Sequence, residues 1–146
     1  MAQKGTLVKE IDVLFIARKI RLLGVAILTG ISIVFLLGVF IPAGEFNKDL
    51  WMLNIISLVA GLLFCLPAYY IRNMMLEKMN KDNFGKVYFN AHVIPFALCD
   101  FGGLFCVATN LFVSRNILFA AGGFAVAVIC VVLCFPRSDD YLRMKK

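Results

Sequence analysis

The sequence predicts an all-α polytopic membrane protein: four transmembrane helices arranged as two hairpins, preceded by an amphipathic interfacial helix. Three observations carry this reading. Hydrophobic residues make up 62% of the chain and charged residues 16%, with a mean hydropathy of +0.89, a balance a soluble domain would struggle to keep in solution. Four apolar runs, Leu22 to Pro42, Leu53 to Ile71, Ala91 to Val113 and Ile117 to Pro136, have the roughly 20 residues needed to cross about 30 Å of hydrocarbon. Within those runs Asp100 is the only acidic or basic side chain apart from the histidine His92.

Taken in order, residues 1–21 form a charged segment in which Leu7, Val8, Ile11, Leu14 and Phe15 recur at helical spacing, while Lys9, Glu10, Asp12 and Lys19 fall mostly elsewhere. Such a pattern predicts a helix lying on the membrane surface; the alternative is an extension of the first span into water. No small-residue cleavage site follows the first apolar run, so the first span is expected to stay in the mature protein. The second helix is expected to continue through "RNMMLEKMNKDN", with Gly85 as its stop. Met74, Met75, Leu76 and Met79 would then rest on the membrane or on a partner, with lipid the simpler choice. A short "SRN" joins the third and fourth runs, and a basic tail, 137–146, follows the four-span unit 22–136.

Basic residues set the orientation, because cytoplasmic segments retain Lys and Arg. Five lie in the N-terminal segment, four in the middle loop (Arg72, Lys78, Lys81, Lys86) and four in the tail, which leaves only Lys48 and Arg115 for the other two connections. Both termini and the middle loop are therefore expected in the cytoplasm, in a cell inner membrane. Trp51 at one surface and Tyr69, Tyr70 and Tyr88 at the other suit the aromatic belts. The net charge of +6 reads as topology and attraction to anionic lipid, with no nucleic-acid partner.

Small residues let helix backbones approach in lipid. The fourth run carries "AAGGFAVA", with Gly122 and Gly123; the first has Gly24, Gly30 and Gly38; the second has Ser57 and Gly61. In the third, Cys99, Gly103, Cys106 and Asn110 form a small and polar stripe beside Asp100 that runs back towards His92. A shift of 71 residues lays "ILTGISI" on "LCDFGGL", with Thr29 opposite Asp100, a pattern that fits either an internal duplication or chance alignment of apolar segments.

A charged carboxylate at the centre of a span is costly, about 2.5 to 3.5 kcal/mol on insertion scales. Asp100 should therefore face the bundle interior, a partner or a water-filled path. Two roles stay open. It is either a proton or cation carrier, or a polar contact hydrogen-bonded between helices to groups such as Thr29, Ser32, Ser57 or Asn54.

The stretch "ALCDFGGLFCVATNLF…RNILFAAGGFAVAVICVVLCFP", within residues 93–136, resembles the carboxylate-bearing hairpin of the rotor-ring proteolipids of rotary ATPases, and more closely the small four-span bacterial proteins related to them. The resemblance implies that Asp100 would bind the transported proton or sodium ion. It implies nothing for the remaining residues.

The five cysteines all lie in the apolar runs, which speaks against disulfide exchange. His92, the single histidine, lies at the edge of a span and suits an interfacial side chain. No nucleophile triad, phosphate loop or metal-ligand cluster is present in the pattern. The expected function is that of a non-enzymatic subunit, without cofactor or metal, in a homo-oligomer or a larger membrane complex. The alternative is ion translocation through Asp100.

Overall fold

A computed structural model describes the backbone of residues 2–41, 48–80, 83–137 and 140 and, except at 2–13 and 48, their side chains. The described residues are almost all helical, with no strand among them. Helix α1 spans Ala2–Phe40, α2 Trp51–Glu77, α3 Phe84–Ala108 and α4 Ile117–Leu133; a 3₁₀ turn, Lys48–Leu50, leads into α2 and a π turn, Thr109–Val113, ends α3. Three stretches, Leu14–Phe40, Trp51–Glu77 and Phe84–Val113, are long and apolar enough to cross a membrane, and α4 is a shorter apolar helix.

Helix α1 runs unbroken for 39 residues, about 58 Å at 1.5 Å per residue, nearly twice the thickness of a hydrocarbon core. The amphipathic side chains up to residue 13 lie outside the described residues.

Two expectations about the connections are corrected. Helix α2 stops at Glu77, and Gly85 belongs to the first turn of α3 instead of ending α2. The chain turns on two asparagines: Asn80 N donates to Asn83 Oδ1 at 2.8 Å and Asn83 N to Asn80 Oδ1 at 2.9 Å. Side chains that bond their own backbone compete with the helix ladder and close turns. At the other loop, Arg115 takes a positive φ of 58°, and the Asn116 side chain caps α4 by accepting from Phe119 N.

The packing also departs from two hairpins. Helix α3 is central and lies against α2, α4 and α1; α1 and α2 pack on α3 and α4 and scarcely touch each other. The buried positions explain this. On α2 they are Asn54, Ser57, Gly61, Cys65, Ala68, Arg72 and Leu76, a single stripe at steps of three and four that can serve one side only. That stripe lies on α3, where Gly61 and Gly102 meet. On α1 the close positions are Gly24, against Phe96 and Phe135, and Gly38, against Leu111. Helix α3 buries a wide arc, from Tyr88 and His92 through Cys99, Gly102 and Gly103 to Cys106 and Val107.

The buried core runs through all four helices at the end where α2 stops and α3 starts, around Ile20, Leu76, Tyr88, Ala91, Phe96 and Cys134. Tyr88 is thus a core residue, 3% exposed and stacked on Phe84, and not part of a lipid-facing belt. Leu76 is buried, and Met75 and Met79 pack on the same core instead of resting on lipid.

Candidate functional site

Asp100 lies near the middle of the helical stretch Phe84–Val113. On the α-helical repeat it falls at the seam between the buried residues Phe96, Gly103 and Val107 and the exposed Ala97 and Phe101, and its own side chain is half-buried. Among the described residues it has no hydrogen-bond or ion-pair partner. Thr29 is not its mate: that hydroxyl donates to Val25 O, one turn back on its own helix, and the residue is exposed. Ser32 likewise donates to Leu28 O, and Ser57 to Asn54 O.

The stripe beside Asp100 is buried, and it binds the helices together. A Cβ on Gly103 would stand 2.6 Å from Ala127 Cβ, and one on Gly123 would collide with Cys106 Sγ. Gly122 faces open space, with nothing within 4 Å of such a Cβ; it sits one helical step away from the contact. Cys99 and Cys106 are fully buried. Cys65 Sγ lies 3.9 Å from Cys99 O, so the cysteines of α2 and α3 meet at this interface. Among the described residues no group of three or more His, Cys, Asp or Glu side chains is placed to hold a metal ion.

Asn110 is drawn into the α2–α3 interface. Its amide donates to Ser57 Oγ and to Cys106 O, both at 2.7 Å. Asn110 Oδ1 and both amide atoms of the fully buried Asn54 have no partner among the described residues. This polar layer lies at the π turn, where the ladder already skips one carbonyl: Ser114 N reaches back five residues to Thr109 O.

A second polar centre lies at the opposite end of α2 and α3. Arg72 is 2% exposed and pairs with Asp140, itself 3% exposed, from the C-terminal segment. The same guanidinium donates to Phe135 O at 3.4 Å and to Asn73 Oδ1 at 3.3 Å. Asp140 Oδ2 also accepts from Arg137 N at 2.9 Å and lies 3.6 Å from Nε2 of the fully buried His92. Burial pushes the Asp140 carboxyl up, but His92, the Arg137 N–H and the Arg72 guanidinium outweigh it and hold the group below its ordinary value. Arg72 Nε and His92 Nε2 have no hydrogen bond among the described residues.

The pattern of residues points to this centre only in part. Arg72 continues the α2 stripe of Gly61, Cys65 and Ala68 by one more turn, a signal that it faces inward. Its place among the basic residues of the middle loop gives no such signal. His92 is a core residue and not an interfacial one, because Asp140 comes back to cover it. Comparison of the chain with protein-family models, curated proteins and solved structures finds no match.

Proposed function

We propose that the chain is a four-span inner-membrane protein that works through helix packing, as one component of a homo-oligomeric or multi-subunit membrane assembly. In this reading both termini and the middle loop are cytoplasmic, as the distribution of Lys and Arg favours, and the first residues of α1 run along or out of the membrane surface.

The observation that carries the proposal is Asp100. A carboxyl midway along a span, half-buried at a helix seam and without a partner among the described residues, is best satisfied by a polar group from another subunit, because an unpaired polar group in hydrocarbon is expensive. Native mass spectrometry or sizing in nanodiscs tests it. Asp100→Leu should dissociate the assembly, whereas Asp100→Asn, which keeps the size and the hydrogen-bonding capacity, should retain it, since such contacts are worth about 0.6 to 2 kcal/mol in membranes. An assembly unchanged by Asp100→Leu, or a wild type that is a monomer, ends this reading.

The same unpaired carboxyl favours a second reading, in which Asp100 carries a proton or cation as its resemblance to the rotor proteolipids implies. Here Asp100→Asn should assemble and yet lose ion exchange in proteoliposomes. A hydrophobic carbodiimide, which attacks protonated carboxyls in apolar surroundings, should label the wild type at Asp100 and do so less at high pH. Full exchange by the Asn variant with no labelling of the wild type excludes it.

A further inference from the structure

Of the glycines at 24, 30 and 38 on α1, two are used inside the protomer and one is not. Gly24 receives the rings of Phe96 and Phe135 and Gly38 receives Leu111, whereas a Cβ on Gly30 would meet nothing within 4 Å. Gly30 is exposed, as are Ala26 one turn before it and Thr29 beside it. A glycine in mid-helix lowers helix stability relative to alanine, and the internal packing gives no reason for one here. In lipid, small residues four apart on an open face let a second helix approach closely.

Asp100, half-buried and without a partner among the described residues, stands at the same level and on the same side. Gly24 meets Phe96 and Ile31 meets Gly103, a constant offset of 72 residues between two helices that run in the same direction. Asp100 is therefore level with Leu28, between Ala26 and Gly30. Helix α4 covers one flank of the α1–α3 pair, where Phe124 stacks on Phe35 and Ala127 reaches Gly103. The helical repeat turns Gly30 and Asp100 to the other flank. Thr29 adds a complementary group at that depth: its hydroxyl hydrogen goes to Val25 O at 2.8 Å, which leaves lone pairs on Oγ to accept from a protonated carboxyl, itself a donor.

We propose that this flank is the interface for a second copy of the chain: α1 crosses α1 of the other copy at Ala26 and Gly30, and Asp100 of each copy bonds Thr29 of the other. The inference rests on the oligomeric reading above and names its partner. Two copies inserted in the same orientation are related by an axis along the membrane normal, so a group can meet only groups at its own depth. The open glycine, the exposed hydroxyl and the unpartnered carboxyl all meet that condition within this one chain. An isologous contact of this kind makes the Asp100–Thr29 bond twice and leaves no open end, so the assembly closes as a dimer.

The test uses the full chain. Oxidation of membranes carrying Gly30→Cys should give at least fivefold more disulfide-linked dimer than Gly122→Cys, a position on α4 that is equally open; the five native cysteines are buried and give a common background. Native mass spectrometry from lipid nanodiscs should find the wild type as a dimer and Gly30→Leu, which fills the open face, as a monomer. Thr29→Val keeps the shape of the side chain without its oxygen and should weaken the dimer about threefold or more, as loss of an interhelical hydrogen bond in a membrane does, while Thr29→Ser should restore it. Equal cross-linking at positions 30 and 122, an assembly larger than a dimer, a dimer that survives Gly30→Leu, or one as tight in Thr29→Val as in Thr29→Ser overturns the proposal. If the wild type assembles and Asp100→Leu dissociates it while Gly30→Leu does not, this interface is refuted and the oligomeric reading stands. A wild-type monomer, its open flank filled by lipid, ends both.

Discussion

Gly61 on α2 and Gly102 on α3 meet backbone to backbone: a Cβ on Gly102 would stand 2.9 Å from the Gly61 carbonyl oxygen, and one on Gly61 would stand 3.1 Å from that of Gly102. A carbonyl cannot swing away as a flexible side chain can, so the two helices must part to admit a methyl group. Gly102→Ala should lower stability by about 1 to 3 kcal/mol, the usual penalty of overpacking. Gly30→Ala and Gly122→Ala, where nothing lies within 4 Å, should show no loss. Unfolding titrations in mixed micelles check this, and equal losses at all three positions would refute the close approach.

The Arg72–Asp140 pair predicts an asymmetry between single and double variants. Asp140→Ala leaves a guanidinium buried without its counter-charge, and breaking a buried pair in this way costs about 3 kcal/mol or more. Replacing both partners by apolar residues, Arg72→Met with Asp140→Leu, removes the stranded charge and should recover most of the loss. Thermal unfolding of the two single variants and the double variant measures the recovery; additive losses would show that the pair is not coupled.

The depressed Asp140 carboxyl fixes an acid limit for the same contact. A carboxylate held below its ordinary value of 3.8 contributes stability that is fully present above that value and is lost as pH falls through the lower, folded-state value. Wild type should therefore exceed Asp140→Asn in stability at pH 5 to 6, and the gap should close as the pH is taken well below 3.8. A gap that widens on acidification would reverse the sign and refute the assignment.

Asn54 and Asn110 make opposite predictions although both are fully buried. Asn110 bonds Ser57 and the Cys106 carbonyl, so Asn110→Leu should destabilise by about 1 kcal/mol, as interhelical hydrogen bonds in membranes do. Asn54 has no side-chain partner among the described residues, and an unsatisfied buried amide itself costs about 1 to 3 kcal/mol. Asn54→Leu should be neutral or stabilising. The same mixed-micelle unfolding decides between them, and a large loss at Asn54 would show that its amide is engaged after all.

Much of the fold is legible in the residues because helices and small-residue stripes are local, periodic signals. Cys99, Gly103, Cys106 and Asn110 at steps of four, three and four mark a face of α3 that is indeed buried. The π turn is not readable, since it shifts the ladder by one residue without changing composition. Nor is the scant contact between α1 and α2 among the described residues, because chain adjacency suggests a hairpin and only the single stripe on each helix argues otherwise. Gly102 is hidden for a related reason: in "FGG" both glycines look alike, yet one meets α2 and the other α4. The Arg72–His92–Asp140 centre joins residues far apart in sequence, and a pairing of that kind leaves no trace in any window of the chain. Asp100 stands out by composition alone, as the one carboxylate in the apolar runs.

The central position of α3 also constrains how the protein comes into being. Helices are made in order, and α1 and α2 have almost nothing to say to each other. While the ribosome is still producing the middle loop, the two finished helices expose their glycine and polar stripes with no mate, Arg72 among them. Arrival of α3 closes both interfaces at once, α4 then seals the remaining side, and Asp140, from the segment after α4, supplies the carboxylate that neutralises Arg72.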